Sequence, residues 1–197
     1  MNKSESKYFN TALLMDQALV ELLKEKDFEY ITVKEICQKA GVNRSTFYLH
    51  YETIADILSE VLDRTMKQFQ SSFPEKPEEF VPHISDADLS DLMLITAKYL
   101  EPYLLFIKEN HSLYRAAFAN PKALRTDKHI ENVYQHVLLP ILDRFHVPKG
   151  EQVYQMDFYI SGCMAIIRRW VENKCSDPVD KIESIIIHCI RANPENI

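Results

Sequence analysis

Glycine is scarce in this chain, with three among 197 residues, where average usage near 7% would give roughly 14. Glycine supplies the left-handed turns and bulges of small β-domains, so its scarcity argues against a sandwich or barrel and for helices. Neither GxGxxG nor GxxxxGK[ST] can be written with Gly41, Gly150 and Gly162, which excludes a phosphate-cradling glycine loop. Long apolar runs are also missing. Stretches such as Tyr103 to Ile107 fall far below the ~18 residues of a membrane helix, and the polar start MNKSESKYFN lacks a signal peptide's apolar core. A cytoplasmic protein with no membrane partner is expected.

Basic excess is absent too. The 23 Lys and Arg against 29 Asp and Glu give a formal charge of −6, so contact with nucleic acid has to come from a local patch. Cys37, Cys163, Cys175 and Cys189 show no CxxC spacing, and the seven histidines show no HExxH spacing, so no metal or other cofactor is expected. Cys163 and Cys189 fall on apolar stripes, which leaves Cys175, beside Lys174, as the thiol expected at the surface. No GxSxG elbow is present, and the sequence does not read as an enzyme.

What is there is helical periodicity. Phe9, Ala12, Leu13, Leu19, Leu22 and Leu23 make one stripe, with Asp16, Glu21, Lys24 and Glu25 mostly off it, which predicts a first helix over 7–26. Asp27 is expected to end it in a left-handed conformation. Thr32 to Glu35 fits a capping box, Ile36 and Ala40 form the buried face of a short helix, and Gly41 is placed to terminate it. Asn43 then caps a second short helix through Tyr51, on which Phe47 and Tyr51 face inward. Thr53 to Asp56 opens a long helix whose stripe runs from Ile54 to Phe73, stopped by Pro74. The proline-rich, acidic stretch 74–88 reads as a solvated connection. Further helices are expected near 88–109, 112–119, 123–145, 150–174 and 178–192, with Pro102 kinking or splitting the first. Asp177-Pro178 is expected to supply a cap and a first-position proline to the last.

Two short helices meeting at a glycine turn read as a helix-turn-helix. Ile36, Ala40, Val42 and Phe47 fix its pose, while Lys34, Arg44, Ser45, Thr46, Tyr48 and His50 offer an outer face to a major groove. Lys34, Lys39 and Arg44 against Glu35 leave +2 between residues 31 and 51, a basic patch in an acidic chain.

The segment ITVKEICQKAGVNRSTFYLHY resembles the N-terminal signature of TetR/AcrR-type bacterial transcriptional regulators: Thr-Val, an isoleucine, Ala-Gly-Val, then Thr-Phe-Tyr-x-His-Tyr. The likeness covers about residues 9 to 62, and Phe158 to Val171 is similar to a C-terminal domain found in part of that family. The resemblance implies homodimers that bind a roughly palindromic double-stranded operator through the first three helices. Lys34, Arg44, Ser45 and Tyr48 would then meet base edges, with Val33, Thr46, Leu49, His50 and Tyr51 near phosphates. Three positions depart from the family pattern. Asp27 replaces a glycine, Ile31 a threonine, and Ile54 the lysine that reaches a phosphate at the start of the fourth helix. Loss of that cation would lower the salt dependence of binding by about one phosphate contact; the plainer reading is that Ile54 packs against the first helix.

The expected architecture is all-α, with about nine helices: a three-helix DNA-binding domain over 1–53 and a larger regulatory and dimerisation domain over 54–197. The resemblance implies a small-molecule inducer in the second part, for which Tyr103, Phe106, Tyr114 and Tyr134 are the candidate lining. The last two helices are apolar over wide arcs, and pairing with their copies through Ile160, Met164, Ile167, Ile182, Ile186 and Ile190 would make a four-helix bundle. The functional expectation is a homodimeric transcriptional regulator, with repression as the default the resemblance implies. The alternative from another class is a helical interaction module with weak DNA binding that acts through a partner.

Overall fold

A computed structural model describes residues 3–71, 97–121 and 139–191. Nine α-helices occur among these residues: α1 (Lys3–Glu25), α2 (Val33–Ala40), α3 (Arg44–His50), α4 (Ile54–Ser71), α5 (Ala97–Glu109), α6 (His111–Ala119), α7 (Leu139–Arg144), α8 (Lys149–Glu172) and α9 (Val179–Arg191). The expected connection at 74–88, most of the helix expected at 123–145, Phe73 and Tyr134 lie outside the described residues. No described helix is long and apolar enough to cross a membrane.

The chain divides into two compact units. The first comprises α1 to α4 together with α6, apart from the last residue of α4 and the first of α6. Its core is built from Met15, Leu19 and Leu23 of α1, Ile36 and Ala40 of α2, Phe47 of α3, Ile57, Leu58 and Val61 of α4, and Leu113 and Ala116 of α6. Burial of this apolar surface holds two helices as short as α2 and α3, which would not persist alone in water.

Local signals fix where these helices start and stop. The Thr32 hydroxyl accepts the Glu35 amide, and the Glu35 carboxylate accepts the Thr32 amide at 3.0 Å, a complete capping box. Lys26 lies 2.5 Å from Glu35, and with the Thr32 hydrogen bonds it draws the Glu35 carboxyl down to about 2. Gly41 takes φ +67°, and the amides of Gly41 and Val42 donate to the carbonyls of Gln38 and Cys37, closing α2 with a Schellman turn. The end of α1 differs from expectation. Asp27 is extended at φ −71°, not left-handed, because a 3₁₀ turn over Phe28–Tyr30 follows, and its carboxylate meets Arg115 of α6 at 2.7 Å.

The second unit contains α5, α7, α8 and α9, with α9 packed on α5 and α8. Pro102 does not split α5. Trp170 is buried and donates from Nε1 to the Asp177 carbonyl at 2.9 Å, fixing the turn between α8 and α9. Pro178 contributes its carbonyl to the Ile182 amide, so α9 begins one residue later than a first-position proline would place it. The cysteines reverse the expectation: Cys175 is buried in a left-handed turn at φ 50°, whereas Cys189 is exposed.

The turn at Gly41 yields a direct check. Gly41→Ala forces a β-carbon into the left-handed region and should cost about 1–2 kcal/mol. Gly150→Ala, inside α8 with open space around it, should be neutral or stabilising by up to ~1 kcal/mol. Urea unfolding of the two variants reads the contrast; equal effects would contradict the role given to the turn.

Candidate nucleic-acid interface

Burial of one side chain orients α3. Phe47 is completely buried, and on a helix of seven residues that choice turns Arg44, Ser45 and Tyr48 outward. Tyr48 is 60% exposed and Leu49 75% exposed, large apolar surface for a short helix. The Phe47 ring supports Tyr48 edge-on at a centroid distance of 5.2 Å.

The start of α3 is tightly tied. Asn43 Oδ1 accepts the Thr46 amide at 2.8 Å, the Thr46 hydroxyl at 2.9 Å and the Ser45 hydroxyl at 2.6 Å. Both hydroxyls are therefore committed locally, and each keeps acceptor capacity for a donor arriving from outside. Thr46 and Val33 are half-buried, while Lys34 on α2 is exposed.

Charge is distributed in favour of this face. Lys26 pairs with Glu35, and Lys39 reaches Glu25 at 2.9 Å and Glu21 at 3.3 Å. Lys34 and Arg44 are exposed and make no ion pair among the described residues, so both are presented to solvent. An acidic chain can offer a local basic surface where exposed cations such as these are left without an acidic partner.

The far end of α3 corrects one expectation. Tyr51 is not placed to meet a phosphate: its amide donates to the Phe47 carbonyl at 2.9 Å, and its hydroxyl donates to Asp16 at 3.2 Å in the interior. Both of its donors are taken. His50 is half-buried, stacked on Tyr8 of α1 at 3.8 Å between ring centroids, and the Tyr8 hydroxyl reaches the Leu49 carbonyl at 3.4 Å. His50 Nδ1 is buried with no hydrogen-bond partner among the described residues, and desolvation holds the imidazole below its ordinary pKa. Ile54 packs against the core of the first unit, which gives the departure at that position an ordinary packing reason.

Asp16 is the residue the sequence pattern should have singled out. It is only 4% exposed, on the stripe formed by Ala12, Met15, Leu19 and Leu23 rather than off it. The signal was its spacing, one turn from Ala12 and three residues before Leu19. Arg64 of α4 hydrogen-bonds the Asp16 carboxylate through Nη1 and reaches Glu60 through Nη2 at 2.5 Å. Burial outweighs the attraction of Arg64 and raises the Asp16 carboxyl to about 6.

In the second unit, Tyr103 and Phe106 of α5 are half-buried, and burial pushes the Tyr103 phenol up to about 12. Tyr114 is buried on α6, which belongs to the first unit. None of the three lines the open concavity of about 410 Å³ between α8 and α9, whose walls include Ile166, Arg169, Trp170, Asn173, Ile182 and Ile185. Of the side chains expected to pair with a second copy, Ile167, Ile182 and Ile186 are buried within the chain itself, and Ile160 and Met164 are half-buried; the Ile190 side chain lies outside the described set. The outward side of α8 instead carries Tyr154 and Phe158, 76% and 73% exposed, with Ala165 beyond them.

Comparison with known proteins agrees with this geometry. Residues 17–61 match the family model for bacterial regulatory proteins of the tetR family, and residues 96–192 match a model for a transcriptional regulator C-terminal region. A 47-residue segment is 45% identical to YxbF, an uncharacterised HTH-type transcriptional regulator of Bacillus subtilis (strain 168); it covers 24% of this chain and 12% of that protein. The match thus spans about an eighth of the length of the curated relative. A solved structure named as the dihydroxyacetone kinase operon activator DhaS superposes with a TM-score of 0.52 at 18% identity, covering 91% of this chain and 93% of that one. At that identity the likeness is one of fold.

The Asp16 carboxyl sets a pH test. Its folded value near 6 lies above the ordinary 3.8, so between these values the folded state binds more protons. Its contribution to stability therefore falls as pH rises through that window. His50, held low, acts in the opposite sense but is common to parent and variant. The stability difference between parent and Asp16→Asn should thus move in favour of the variant from pH 4 to 6, measured by urea titration at each pH. A difference that stays flat or moves the other way would contradict the assignment.

Proposed function

We propose that this chain, which belongs to the TetR family of bacterial regulatory proteins, works as a homodimer that reads a two-fold symmetric operator and represses transcription from it. The chain is a transcriptional regulator with an N-terminal helix-turn-helix DNA-binding domain. The observation that carries the finer reading is the outward set on α3. Arg44, Ser45 and Tyr48 project from a helix whose inner side is fixed by Phe47, and Lys34 adds a cation from α2. In the major groove, Arg44 is suited to a guanine edge, the Ser45 hydroxyl to an amino donor of adenine or cytosine, and Tyr48 and Leu49 to apolar contact with a thymine methyl. Val33, Thr46 and His50 would lie near the phosphates that set the register.

A dimer supplies the second half-site. Its face is best sought on the outward side of α8 at Tyr154, Phe158 and Ala165, with Ile185 of α9, because Ile167, Ile182 and Ile186 are already buried within the chain. Exposed aromatic surface of this kind is what an isologous contact would cover. Release from DNA by a small-molecule inducer completes the reading. Tyr103 and Phe106 remain its candidate contacts, and any such ligand acts only through a difference in affinity between DNA-competent and incompetent states.

Selection from a random duplex library tests the core of this reading. It should return a palindrome whose half-sites lie one helical turn, about 34–36 Å, or a multiple of that apart. Arg44→Ala should then weaken operator binding by about 1–3 kcal/mol, roughly 5- to 150-fold, and relax preference at one symmetric base pair. Phe158→Glu should give monomers by sedimentation, with operator affinity lost. No selected sequence, or a palindrome read equally well without Arg44, would overturn it.

A further inference from the structure

One group of polar side chains, buried at Asp16 and Tyr51 and half-buried at Arg64 and Glu60, takes no part in the outer face of α3. Asp16 from α1, Tyr51 from the end of α3, and Arg64 and Glu60 from α4 meet at a single point. Arg64 is also held over the ring of Phe9, 5.7 Å from its centroid, so its guanidinium touches groups from both α1 and α4. We propose that Asp16 and Arg64 are positioning residues for DNA recognition: Arg64 fixes the Asp16 carboxylate, Asp16 holds the Tyr51 hydroxyl, and the rear of α3 takes its angle from α4. This inference rests on the DNA-reading function proposed above.

Three observations carry it. Tyr51 is the residue that closes α3, and its hydroxyl leaves the helix for Asp16 rather than for solvent. The front of α3 is pinned separately by Asn43, so the pose of the reader is set by two anchors, one at each end. At 1.5 Å per residue the helix is only about 10 Å long, and a shift of ~1 Å at the rear anchor tilts it by about 6°. A hydrogen bond to a base edge tolerates only a few tenths of an ångström before it weakens.

The second observation is energetic. Desolvation outweighs the attraction of Arg64 at Asp16, so the group is a costly way to join three helices already joined by Ile57, Leu58, Leu19 and Phe47. What an ionic cluster adds over apolar contact is direction: only one arrangement satisfies both ends of the Arg64 fork. The third is connectivity. Arg64 lies on α4 two turns before Ser71, where the chain leaves the first unit. A displacement of α4 would therefore reach the rear of α3 through side chains already in contact.

Operator and scrambled duplexes of equal length, titrated by fluorescence anisotropy into full-length parent, Tyr51→Phe, Arg64→Lys and Asp16→Asn, test the proposal. Melting curves confirm that each variant is folded at the assay temperature. Tyr51→Phe removes one oxygen and keeps the ring, so it guards against a variant that fails to fold. The account expects Tyr51→Phe and Arg64→Lys to lose operator affinity about tenfold while scrambled-duplex affinity and its salt dependence stay within twofold. Asp16→Asn combined with Arg64→Lys should be no worse than the weaker single variant. Folded variants that keep the parental ratio of operator to scrambled affinity would show a purely structural cluster and overturn the proposal. A parent protein with no preference for the operator would instead overturn the DNA-reading function, and this inference with it.

Discussion

The burial of Phe47 is the constraint from which the rest of the interface follows. A helix of seven residues has barely two turns, so once one side chain is committed to the core the others have no choice of direction. Arg44, Ser45 and Tyr48 face outward because Phe47 faces in, and the Schellman turn at Gly41 sets where that helix begins. Loss of the aromatic ring would remove about 3–5 kcal/mol of packing and leave the outer residues without a defined pose.

Electrostatics then act on a surface already shaped by packing. The chain carries net charge −6, yet Lys34 and Arg44 are exposed without an ion pair among the described residues, whereas Lys26 and Lys39 are paired with Glu35, Glu21 and Glu25. These ion pairs are exposed and contribute little to stability. Their consequence is spatial: they occupy three acidic side chains near α2, and Lys34 and Arg44 stay unpaired among the described residues.

The caps that open α2 and α3, the glycine turn and the inward pair on α3 could be read from residue types and spacing, since each is a local rule acting over four or five residues. Membership of a helix-turn-helix family was legible for the same reason. What escaped was set by contacts distant in sequence. Asp16 looked like a solvent-facing acid until Arg64, 48 residues away, and Tyr51, 35 residues away, gave it partners in the interior. Ile182 and Ile186 looked like an interface because a stripe on the last helix does not say whether it faces its own chain or another. The burial of Cys175 has a similar cause: the turn after α8 folds inward under Trp170, which neighbouring residue types do not announce.

Amide and side-chain NMR shifts followed during titration with operator duplex address the central claim most directly. The account predicts that the largest changes fall on Arg44 to His50 and on Val33 and Lys34, with α8 and α9 nearly silent. Changes concentrated on α8 and α9, with α3 unmoved, would contradict it.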